Sequence, residues 1–155
     1  MKTVLYKSSF WISLGVGVVF LSAVVQDAVA SSDAAAVARG AALYADNCAA
    51  CHGTNLEGQA NWEEPEADGT LRAPPHDVSG HTWHHPDRLL FGYIKDGGKK
   101  ALKEMGVDDV KSGMPAFGDV LADRDIQDIL AFIKSNWPEQ SIDYQKRMTA
   151  QDDVK

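Results

Sequence analysis

The sequence predicts an all-α fold of three or four helices joined by long loops, and three observations predict it. Val37, Gly40, Ala41 and Tyr44 recur at i, i+3, i+4 and i+7, which gives one apolar helical stripe early in the chain. Ile126, Ile129, Leu130 and Ile133 repeat the same spacing near the other end. No run alternates polar and apolar residues for long enough to read as a strand.

The chain of 155 residues starts with Lys2 and Lys7, runs into an apolar stretch from Phe10 to Val25, and reaches Ala28-Val29-Ala30, a small-x-small cleavage pattern. Residues 1–30 are therefore predicted to be a signal peptide, and the folded domain is expected to be exported, in the periplasm. The apolar stretch falls short of the roughly 20 residues a spanning helix wants, so an uncleaved anchor is the alternative. Fifteen basic side chains face 22 acidic ones, for a net charge of −7. Removing residues 1–30 takes away two lysines and one aspartate, leaving the remainder more acidic still. Nucleic acid and anionic membrane would repel such a surface. The expected partner is a protein with a basic docking patch, and a membrane enters only if the leader is kept as an anchor.

In the first helix, Gly40 stands where a second helix could approach closely. A middle helix is expected from Pro86 to Lys95. Pro86 lies in its first turn, Leu89, Leu90, Tyr93 and Ile94 on one side, and Gly97-Gly98 at its end. The last apolar helix opens with Asp123 and Asp125, where acidic groups suit the helix dipole, and stops before Pro138. Residues 139–155 read as a polar tail, with at most a frayed helix through Ser141 to Met148 and no assigned chemistry. The domain is thus expected over 31–138.

Cys48 and Cys51 are the only cysteines. In an exported chain a pair suggests a disulfide, but one closing so small a loop would stabilise little. A redox dithiol should follow a strand in a βαβ unit, and no strand pattern lies upstream. His52 completes Cys48-Ala49-Ala50-Cys51-His52, the attachment signature for c-type haem. Residues i and i+3 share one face of a helical turn, so both thiols can reach one edge of a porphyrin while the next residue offers an imidazole to the iron. Zinc would need further ligands, and no second cysteine pair supplies them.

Arg39 to Gly53 resembles the first helix and haem motif of class I c-type cytochromes, and Ser112-Gly113-Met114-Pro115-Ala116-Phe117-Gly118 resembles their distal methionine loop. The resemblance covers about residues 34–137. It implies a cytochrome c-like fold around one covalent haem c, in which the first and last helices cross with Gly40 and Tyr44 against Ile129 and Phe132. It further implies Cys48 and Cys51 as attachment points, His52 as proximal ligand and Met114 as distal ligand. The acceptor for the far N–H of His52 would be a proline carbonyl, for which Ala73-Pro74-Pro75 stands in the matching place; Pro74 is the choice.

A soft thioether at Met114 would favour ferrous iron and raise the potential relative to a second imidazole. Met105 is a rival thioether without a following proline. His76, His81, His84 and His85 are a second rival: one of them could ligate the iron, or His81, His84 and His85 could bind copper or zinc. The acidic loop Asn61 to Gly69 is either a solvated loop or a rim that steers a basic partner. The expected function is one-electron transfer between redox proteins, not catalysis. A haem enzyme or enzyme subunit with a labile distal ligand, and a metal-handling protein built on the histidine cluster, are the alternatives.

Overall fold

The computed structural model describes residues 33–154, so the predicted leader lies outside the described residues. The chain is helical through residues 33–47 (α1), and Cys48 then bends it into a single turn, Ala49–His52 (α2). The apolar stripe of α1 packs on the helix Asp123–Ser135 (α5). A Cβ on Gly40 would come within 1.9 Å of the Asp128 carbonyl oxygen, so glycine is what lets the two backbones cross this closely. One turn along, the rings of Tyr44 and Phe132 stand 5.4 Å apart. Arg39 closes the crossing by gripping the buried Asp128 carboxylate with two bonds, Nε to Oδ2 at 2.7 Å and Nη2 to Oδ1 at 3.0 Å. A bidentate fork of this kind satisfies a carboxylate that would otherwise be buried unpaired.

The α5 sequence explains its own geometry. Asp125 accepts a bond from the Ala122 N–H at 3.0 Å, which caps the first turn. Ile126, Ile129 and Ile133 then fall on one face and are at most 1% exposed. Each such side chain contributes about 1.5–3 kcal/mol by leaving water. Tyr44, Leu56, Leu90, Ile94, Leu121 and Trp137 complete the same core.

The middle of the chain holds two helices where the sequence predicts one, Asp87–Asp96 (α3) and Gly98–Glu104 (α4). Gly97, at φ +83°, ends α3, but the chain turns there and resumes helical geometry at once. Only Ala101 and Leu102 of α4 bury apolar area, too little for a period to show in the sequence. A two-residue parallel ladder joins Thr70–Leu71 (β1) to Lys111–Ser112 (β2), pairing Thr70 with Lys111 and Leu71 with Ser112. Two residues cannot display an alternation.

The largest departure lies after Pro138. The expected polar tail is a full helix, Glu139–Asp152 (α6), docked by polar groups. Buried Gln145 points its amide at the His85 carbonyl and the Asp87 carboxylate, Thr149 Oγ1 accepts from the Asp87 N–H at 3.1 Å, and Lys134 pairs with Asp87. Arg88 forks onto Asp152 at 2.7 and 3.1 Å. With α6 the described residues contain six helices, not three or four. Nearly all of them belong to one compact unit, Ala35–Lys155, and none of these helices is long and apolar enough to cross a membrane.

Candidate functional site

The turn that carries Cys48, Cys51 and His52 is pinned at both ends. The Tyr44 hydroxyl donates to the Gly53 carbonyl at 3.1 Å, and the Gly58 N–H donates to the His52 carbonyl at 2.8 Å. Cys51 is exposed and Cys48 half-buried, both as free thiols. Burial, and then the neighbouring Cys51, push the Cys48 thiol up to about 11. A redox dithiol is activated by a lowered thiol pKa, and Cys48 is shifted the other way.

His52 is buried and bonds through Nδ1 to the Pro74 carbonyl at 2.9 Å. Burial lowers its pKa below the usual histidine value, against a smaller opposing effect of that bond. The ring is therefore neutral at pH 7, its hydrogen sits on Nδ1 because a carbonyl only accepts, and Nε2 offers its lone pair to a metal. Pro74 is held in register by the exchange between Gln59 and Ala73, with the Gln59 N–H on the Ala73 carbonyl at 2.9 Å and the Ala73 N–H on the Gln59 side chain at 2.7 Å. A Cβ on Gly58 would lie 2.5 Å from Pro75 N, so this pairing too needs a glycine.

Met114 sits half-buried against the core, as do Cys48, Trp83, Phe91 and Phe117. Its loop is fastened to the end of α3 and the start of α4 by three backbone bonds. The Gly98 N–H donates to the Met114 carbonyl at 3.1 Å, Phe117 N–H to Ile94 at 3.0 Å, and Gly118 N–H to Lys95 at 2.9 Å. A Cβ on Gly98 would strike Ser112 Oγ at 2.0 Å, and one on Gly97 would lie 2.9 Å from Ala116 N. Gly97-Gly98 is thus a seat for the methionine loop as well as a helix end. Met105 caps α4 and is exposed.

The histidines divide, which corrects the reading of them as one cluster. His81 and His85 meet edge to face at 5.3 Å, with Trp62 beside His81, whereas His84 packs on Trp83 and Tyr144. Among the described residues no group of three ligand-type side chains is placed to hold a metal. His76 lies parallel to His52 with ring centroids 4.0 Å apart. Rings stacked side by side are poorly placed to offer nitrogens to one metal from opposite sides, which argues against His76 as a partner ligand to His52.

Burial lowers the pKa of His85, and His81 and His84 add to the shift. The folded state therefore favours neutral His85, and its contribution is complete above the unfolded value near 6.5 and lost as pH falls below it. Melting temperature should fall between about pH 8 and about pH 5, and His85→Gln should flatten that fall.

Two thiols able to form thioethers, followed at once by a neutral imidazole with a free Nε2, fit a haem attached through its edge. A predominantly helical domain that holds porphyrin iron covalently is the class that fold and donor set define. The family model for Cytochrome c matches residues 37–137, and the chain belongs to that family, whose members bind haem c covalently and transfer electrons. No curated protein and no solved structure shows significant similarity to the chain. The helix α6 lies beyond the matched residues.

Proposed function

We propose that the protein is an exported carrier of one electron, with His52 and Met114 as the axial ligands of a single haem and with larger redox proteins as partners. The haem supplies an iron that cycles between the ferrous and ferric states. Cys48 and Cys51 fasten it, and Pro74 holds the His52 ring by its far N–H. The observation that carries this reading is that both donor segments are fastened in place: the methionine loop by three backbone bonds to α3 and α4, and the His52 turn by the Cys48 N–H on Tyr44, the Tyr44 hydroxyl on Gly53 and the Gly58 N–H on the His52 carbonyl. Donors held in place keep reorganisation small when charge changes, which suits electron transfer more than substrate binding at the metal.

Export is supported by Lys2, Lys7, the apolar run and Ala28-Val29-Ala30. The net charge of −7 favours a basic patch on the partner, through a small and short-lived interface weakened by salt. In the acidic loop Glu66 is engaged by Arg72 and Asp68 accepts from the Thr70 N–H at 2.9 Å, so exposed Glu63 and Glu64 are the carboxylates most open to such a patch.

Holoprotein matured in a host with cytochrome c assembly machinery tests the proposal. Its pigment should resist acidified organic solvent, its amino terminus should begin at Ser31, and the ferrous form should bind carbon monoxide slowly or not at all. Rapid binding under native conditions would favour an enzyme with a labile distal ligand. Extractable pigment would remove the covalent attachment.

A further inference from the structure

We propose that His76 is a positioning residue for His52, setting the plane of the axial imidazole by stacking on it; this rests on the reading of His52 as proximal ligand. The two rings lie 4.0 Å apart at 19°, and Tyr44 stands edge-on to the other neighbour of the pair, 5.9 Å from the His76 centroid at 67°. The backbone of His76 is fixed from two directions. Its N–H donates to the Leu56 carbonyl at 2.8 Å, and its carbonyl accepts from the Trp137 indole at 2.7 Å. Leu56 adopts φ +67°, a conformation unfavourable for a branched side chain, and its carbonyl thereby receives the N–H groups of both His76 and Asp77.

The strap from Pro74 to His76 therefore meets one ring twice. The Pro74 carbonyl takes its edge and the His76 imidazole takes its face. Nδ1 lies off the Cβ–Cγ axis, so the Pro74 bond already limits turning of the ring from its edge. A flat ring against the face limits the same turning from a second side. His76 Nδ1 is buried with no hydrogen-bond partner among the described residues. Burying a polar nitrogen in this way is unfavourable, so what the side chain contributes here is its plane.

The test uses ferric holoprotein with His76→Leu, which removes the plane, and His76→Phe, which keeps it without nitrogen. The orientation of the axial ring is read from the electron paramagnetic resonance g-values and from the spread of the haem-methyl proton resonances. The leucine variant should shift and broaden the g-values and change the methyl spread, and the phenylalanine variant should restore both. Wild-type spectra in the leucine variant would overturn the proposal, as would a change that phenylalanine fails to reverse. Should the leucine variant not accumulate, His76→Met, flexible and of similar size, is read by the same criteria. His52→Ala separates the two levels: wild-type spectra there would sink the ligand assignment itself, whereas disrupted spectra there beside a silent His76→Leu would sink only the stacking role.

Discussion

Met114→Ala should leave the haem attached through Cys48 and Cys51 while lowering the reduction potential by roughly 0.1 V or more, within the range of about 0.8 V that axial ligation spans. The thioether stabilises ferrous iron, and alanine offers no donor in its place. The loop itself should survive, because the bonds from Gly98, Phe117 and Gly118 involve backbone only. The same variant should bind carbon monoxide rapidly when reduced. Potentiometry measures the first effect, the visible spectrum on adding carbon monoxide the second, and loss of the near-infrared thioether-to-iron band reports the missing ligand. An unchanged band would remove Met114 from the iron and leave the distal position to another group.

Gly40→Val should be the most destabilising single change in the helical frame. A Cβ at this position would overlap the Asp128 carbonyl oxygen at 1.9 Å, a clash with backbone that no rotamer relieves. The helices α1 and α5 must separate, loosening Tyr44 against Phe132 and the Arg39 fork on Asp128. Overpacking a tight contact costs about 1–3 kcal/mol, and two further methyl groups put valine at the upper end. A cost of about 3 kcal/mol is a large share of the 5–15 kcal/mol that holds a domain together, and should lower Tm by roughly 10 °C or more. Thermal unfolding of the holoprotein measures it, and an unchanged Tm would mean that the two helices do not cross at Gly40.

What could be read from the residues was local or periodic. The Cys48-Ala49-Ala50-Cys51-His52 spacing is set within one turn, and α5 buries isoleucines at a regular interval, so neither needs knowledge of the rest of the chain. A close approach at Gly40 was legible from a glycine amid an apolar stripe, whereas α5 as the helix that approaches it came from the resemblance to class I c-type cytochromes. In contrast, α6 docks through Gln145, Thr149 and Asp152, and polar contacts leave no apolar period in the sequence. The stacking of His76 on His52 depends on the Leu56 carbonyl and the Trp137 indole, residues 20 and 61 positions away, so the sequence offered His76 only as one of four rival iron ligands and not as a neighbour of His52. A short helix such as α4 and a two-residue ladder such as β1–β2 carry too few residues to announce themselves.

The docking of α6 bears on how this module could be excised or grafted. A boundary drawn at residue 137, where the family match stops, would strip Arg88 of Asp152 and leave the Asp87 N–H without Thr149. It would also bare the face of Trp83 that Tyr144 covers at 5.4 Å. Any transplant meant to keep the opening turn of α3 intact has to carry the chain through Asp152.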